Sequence, residues 1–125
     1  MALINYYEAV KKTVGEKKSQ GAVRLFMVPG MYHCAGGPGP NAFGQALVGT
    51  AAATKHDADN DILLALDRWV TQGVAPERLI ATKFHDDKPE KGAARSRSLC
   101  AFPKVAKWSG KNSSDDSENF FCTVP

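Results

Sequence analysis

The sequence predicts an α/β fold made of few elements. Val23–Val28 and Leu79–Phe84 have the length and composition of strands, whereas Ile4–Val14 and Asp61–Gly73 repeat their apolar residues near the helical period. Long stretches rich in Gly, Pro, Ala and Ser separate these elements. With 125 residues and 43% hydrophobic content the chain is ordinary for one domain, yet so few elements leave a thin core. The chain is therefore expected to lean on other polypeptide.

Ile4, Tyr6, Tyr7, Val10 and Val14 set the first helix, and Gly15 is a C-terminal stop. Glu16–Gln20 then reads as a polar connection, with Lys11, Lys12, Lys17 and Lys18 around it. A basic cluster can meet an anionic surface, but a net charge of only +3 favours a solvated helix end. Few aromatics interleave with these lysines, which argues against a nucleic-acid partner. No charged segment leads into an apolar stretch and no run approaches membrane-helix length, so neither a signal peptide nor a membrane partner is expected in these residues.

The Val23–Val28 run breaks at Pro29-Gly30 and delivers His33, beside Cys34, into a glycine-rich loop. Imidazole takes and returns a proton near neutral pH, so a loop-borne histidine past a strand end suits a general base. Most histidines have no such role, and position alone does not assign one. Gly36, Gly37 and Gly39 evoke a phosphate cradle, but Pro38 and Pro40 lack the N–H donors it needs, and no G-x-x-x-x-G-K or G-x-G-x-x-G pattern occurs. The glycines are better read as tight turns that fix His33. Asn41–Asp59 reads as a small-residue insertion of low helical order, with His56 and Asp57 on its surface.

In the second helix Ile62, Leu63, Leu66, Trp69 and Val70 form one apolar stripe, Asp59 or Asn60 can cap the start, and Gly73 closes the end. The stripe predicts an anchor against a sheet, with Trp69 in the core. Leu79–Phe84 follows as a strand, at a sheet edge, and the hydrophilic His85–Ser98 segment as a loop. His33, Cys34, His56 and His85 supply ligand types for zinc, but their spacing matches no paired ligand motif, and no metal or other cofactor is expected in this chain.

Four segments, in order, resemble the tannase and feruloyl esterase family of α/β-hydrolase-type serine esterases. They are the RLFMVPGMYHCAGGPGP loop of Arg24–Pro40, DILLALDRWVTQGVAP of Asp61–Pro76, RSRSLCAFP of Arg95–Pro103 and NFFC of Asn119–Cys122. Together they extend from residue 24 to residue 122, about four fifths of the chain, which is more specific than any one motif. Ser98 stands where the family usually has proline, Phe102 replaces a common tyrosine, and the alanine-rich insertion after the glycine loop is long.

The resemblance implies the C-terminal part of an α/β-hydrolase fold, with residues 1–125 as a segment of the catalytic domain that carries the histidine of a Ser-Asp-His triad at His33. No Cys-Ser or G-x-S-x-G motif occurs here, and the family order of Ser, Asp, then His puts both partners upstream. Substrate-selecting lid and, in many members, structural calcium would also lie outside this chain. Family members pair the cysteine after the histidine with one before the serine, which gives Cys34 a partner outside the chain.

Cys100 and Cys122 enclose a polar tail and are expected to pair, a cross-link contributing on the order of 3 kcal/mol. Such bonds imply an oxidising compartment, hence a secreted or periplasmic parent; three reduced cysteines in a cytosolic protein is the other reading. The function implied is hydrolysis of aromatic carboxylic esters by an assembled enzyme, whose upstream half would be this chain's partner, with the isolated chain inactive. The reading from another class is a non-catalytic module, able to pair strand edges with another copy of itself.

Overall fold

Helix α1 (Ala2–Val14) ends at Gly15, whose φ of 88° turns the chain directly into a second helix, α2 (Glu16–Ala22). These and the elements below come from a computed structural model that describes residues 2–46 and 52–125. The expected polar connection after Gly15 is thus helical. Ser19 explains part of this: it is buried, and its hydroxyl donates to the Glu16 carbonyl at 2.8 Å. Lys11 reaches Glu8 at 3.6 Å and Glu16 at 3.5 Å, so the basic cluster is partly neutralised across the α1–α2 corner.

Helix α3 (Ile62–Gln72) follows, then strands β1 (Arg78–Phe84), β2 (Ala93–Cys100), β3 (Val105–Trp108) and β4 (Phe120–Thr123). β1 and β2 form one antiparallel pair, running from Arg78↔Cys100 to Lys83↔Arg95 with an irregularity between Lys83 and Phe84. β3 and β4 form a second, from Val105↔Thr123 to Trp108↔Phe120. Phe43, Ala65, Leu79, Ala81 and Leu99 make the buried core, and Phe26, Val28, Met31 and Ile62 pack against it.

Several expectations need correction. Val23–Val28 is no strand: its one pairing is an isolated Phe26↔Ala101 bridge, beside which Phe102 N donates to the Leu25 carbonyl at 2.8 Å, and its ends are tied locally to Ser19 and Met31. Its apolar character serves side-chain packing instead of a ladder. His85–Ser98 is not a loop; two short 3-10 turns, His85–Asp87 and Pro89–Lys91, lead into β2. Hydrophilic β2 holds as a strand through its ladder with β1 and through what its arginines reach. Arg97 lies over the Phe120 ring at 4.3 Å and donates to the Ser114 carbonyl.

The α3 cap is Asp61, whose carboxylate accepts from Leu63 N at 2.9 Å and Leu64 N at 3.3 Å, rather than Asp59 or Asn60. Gly73 closes the helix in the left-handed region. The predicted anchoring stripe is largely uncovered. Ala65 is buried and Ile62 half-buried, but Leu63 and Leu66 are each 52% exposed and Val70 78%. Trp69 is half-buried rather than core, with the Arg24 guanidinium 5.2 Å from its ring. The Asn41–Asp59 stretch has no helix among its described residues, as expected, but its start is packed inside: Asn41–Gly44 is buried, and Ala42 bridges to Thr82 on the other edge of β1. Residues 47–51 of that stretch lie outside the described residues.

Candidate active site

The loop after Val28 is a short closed excursion whose two ends touch. Gly39 N donates to the Gly30 carbonyl at 3.0 Å, and nearer the tip Tyr32 N donates to the Gly36 carbonyl at 3.1 Å. This closeness demands glycine. A Cβ on Gly39 would stand 2.1 Å from the Pro29 carbonyl oxygen, and one on Gly37 2.2 Å from that of Gly30.

Tyr32, His33 and Cys34 occupy the tip, all exposed. Cys34 takes φ 69°, unusual for a residue with a Cβ. Gln45 braces it by donating from Nε2 to the Cys34 carbonyl at 3.3 Å, while its Oε1 accepts from Phe43 N at 3.0 Å. The Cys34 thiol lies 3.0 Å from His33 Nδ1 and is free. Among the described residues that thiol is the only hydrogen-bond partner of the ring; no carboxylate reaches it. A histidine so placed can exchange protons with a bound molecule.

Beneath the loop sits a polar group that sequence reasoning missed. Lys83 Nζ donates to the Gly37 carbonyl at 2.7 Å and pairs with the Asp87 carboxylate. Asn41 Nδ2 donates to the same Asp87 oxygen at 3.0 Å. These bonds, Lys83 first and Asn41 second, hold the Asp87 carboxyl below its ordinary range. Arg95 donates to the Pro38 carbonyl. The sequence carried no clear signal for it: Lys83 sits between Thr82 and Phe84, both buried, so simple alternation along β1 does not mark residue 83 as inward.

The other candidate residues do not join this site. His56 is 88% exposed at its side chain and stands 3.9 Å from Asp61, while Asp57 accepts bonds from Asp59 N and Asn60 N in a local turn. His85 is exposed at the start of its 3-10 turn. Among the described residues no three His, Cys, Asp or Glu side chains converge as a metal site. Cys100 and Cys122 are joined by a disulfide, Cα atoms 5.7 Å apart, which staples β4 to the end of β2. An apolar groove of about 480 Å³ opens between Ile4, Met27, Leu99, Phe102 and Phe120; Pro29 and Pro40, at the foot of the loop, border it.

Comparison with known proteins gives this arrangement a context. The tannase and feruloyl esterase family model matches residues 1–123. An uncharacterized esterase of Xanthomonas campestris is 50% identical over 105 residues, covering 84% of this chain and 18% of the relative. A probable feruloyl esterase B-2 of Aspergillus flavus is 47% identical over 79 residues, covering 63% of this chain and 15% of the relative. The crystal structure of feruloyl esterase B from Aspergillus oryzae superimposes with a TM-score of 0.81 at 27% identity, over 98% of this chain and 24% of that one. The chain thus spans about a fifth of the length of the curated relatives it matches.

Proposed function

The chain belongs to the tannase and feruloyl esterase family, and from that premise we propose that it is the histidine-bearing segment of an α/β-hydrolase-type carboxylic ester hydrolase. The observation that carries the reading is His33 itself, held at the exposed tip of a glycine-closed loop where, among the described residues, no carboxylate reaches it. In a Ser-Asp-His mechanism the imidazole takes the serine proton as the hydroxyl attacks the ester carbonyl, and passes it to the departing alcohol. It then activates water to release the acid from the acyl-enzyme. Serine and aspartate would come from polypeptide outside these 125 residues, which contain no Cys-Ser or G-x-S-x-G motif.

Free, exposed Cys34 beside His33 supports a cross-link to that polypeptide, holding base and nucleophile together. The Cys100–Cys122 bond supports a parent exported to an oxidising compartment. The feruloyl esterases among the relatives point to aromatic carboxylic esters as substrates. The test is hydrolysis of p-nitrophenyl acetate by the purified chain. It is expected to release nitrophenolate no faster than free imidazole does. An enzymatic rate that His33→Ala abolishes would overturn the division of the triad between polypeptides. If the chain is joined by a nucleophile-bearing polypeptide, activity should appear, and retention of that activity in His33→Ala would overturn the role of His33.

A further inference from the structure

Lys83 occupies a position where a lysine must be accounted for. It stands near the end of β1 between the buried Thr82 and Phe84, and its own side chain is only 16% exposed. An ammonium there needs acceptors, since burying it unpaired is costly. The two it takes come from different segments: the Gly37 carbonyl on the His33 loop and the Asp87 carboxylate in the turn after β1. Asn41, fully buried at the loop exit, closes the group by donating to Asp87 at 3.0 Å, and lies 3.5 Å from the same Gly37 carbonyl.

The turn that brings Asp87 into place is strained. Asp86 and Asp87 take φ of 55° and 56° in succession, in the left-handed region where residues with a Cβ seldom sit. Strain of this sort persists where surrounding contacts over-determine it, and here the contacts are the bonds of Asp87 to Lys83 and Asn41. Elsewhere the loop is held by Gln45 on the Cys34 carbonyl and by Arg95 on the Pro38 carbonyl. Its own backbone contributes the Tyr32–Gly36 and Gly39–Gly30 bonds and a tight Ala35–His33 turn, and the tip is exposed.

We propose that Lys83, clamped by Asp87 and Asn41, is a positioning residue that grips the Gly37 carbonyl from beneath and so fixes the direction in which the loop presents His33. The inference rests on the reading of His33 given above only for its catalytic consequence. Its structural content stands on Gly37 and the three side chains. Lys83→Met keeps most of the stem and removes the ammonium; Lys83→Arg restores a cation; Asp87→Asn leaves the lysine but removes its counter-charge.

Amide hydrogen exchange of the 125-residue chain, followed residue by residue by NMR, tests it. Lys83→Met is expected to lower protection of the Tyr32 and Gly39 amides at least tenfold while the β1–β2 amides keep theirs. Lys83→Arg should recover part of that protection, and Asp87→Asn should show the same confined loss. Unchanged loop protection in both Lys83→Met and Asp87→Asn would overturn the proposal. So would a uniform loss through β1 and β2 in Asp87→Asn, which would make the group a general support of the sheet.

The catalytic consequence is read on the assembled esterase. Lys83→Met should lower kcat at least tenfold with KM within about twofold, and Lys83→Arg should restore part of kcat. If His33→Ala leaves kcat intact there, the reading of His33 falls while the exchange result still decides the role of Lys83. If His33→Ala abolishes turnover but Lys83→Met leaves kcat unchanged, positioning is overturned and the base assignment stands.

Discussion

At the scale of single residues, steric room and charge decide how the loop is built. Gly39 and Gly73 offer a controlled comparison. Alanine at 39 would drive its Cβ into the Pro29 carbonyl at 2.1 Å, whereas alanine at 73 meets nothing within 4 Å and bears only the cost of its left-handed backbone, φ 72°. Gly73→Ala is expected to cost about 1 kcal/mol through its backbone alone. Gly39→Ala must move backbone against backbone and should cost about 2–3 kcal/mol, with the His33 and Gly37 resonances displaced. Urea unfolding of the two variants measures the difference, and equal costs would mean the loop ends are not in contact. Asp87 gives a pH dependence of definite sign. Its folded pKa is depressed below 3.8, by the Lys83 hydrogen bond first and that of Asn41 second. The clamp's contribution is therefore complete above the unfolded carboxylate range and is lost as pH falls through the lower folded value. A carbon-detected titration of the Asp87 carboxyl should show its midpoint below 3.8, and a midpoint above that value would remove the clamp.

At the scale of elements, the start of α3 is settled by geometry among three residues that a local rule leaves equal. Asp59, Asn60 and Asp61 are all competent cap residues by type, and only Asp61 has its carboxylate on the Leu63 and Leu64 amides. Asp61→Ala should cost about 1 kcal/mol. Asp59→Ala, which removes only a part-exposed 3.5 Å contact to Arg68, should stay within about 0.5 kcal/mol. Denaturant titration separates the two, and the reverse order would return the cap to Asp59. α3 and β1 were legible because each is short-range: a period, a cap and a stop. β2 was not, because Arg95, Ser96 and Arg97 look like loop residues until β1 and the carbonyls of Pro38 and Ser114 are set beside them. β3 and β4 escaped for a similar reason, being four residues each and paired across the long polar turn between Trp108 and Phe120. In the candidate site, the exposed tip with His33 and Cys34 could be read from Pro-Gly punctuation. Its supports could not, since Lys83 and Asp87 lie 46 residues from the groups they hold.

At the scale of the whole molecule, burial is uneven. The core gathers where α3, β1 and β2 meet the loop foot around Phe43, whereas α1 buries none of its residues and Leu3, Tyr6, Leu63, Leu66 and Val70 face outward. The β3–β4 pair packs chiefly on β2 and borders the apolar groove. Such an appendage contributes little burial to hold itself in place, so the Cys100–Cys122 bond carries a large share of its attachment. For a closed loop of this size, with a sequence separation of 22, the chain-entropy argument gives about 3 kcal/mol. Replacing both cysteines by serine should lower Tm by roughly 10 °C. The loss should also be uneven: amide protection in β3 and β4 should fall first, while Leu79, Ala81 and Leu99 keep theirs until the global transition. Calorimetry and hydrogen exchange on the double variant measure both effects. A drop in Tm with uniform loss of protection would mean that the hairpin and the β1–β2 core unfold as one cooperative unit, and that the bond stabilises the whole molecule through its unfolded state instead of pinning one end of it.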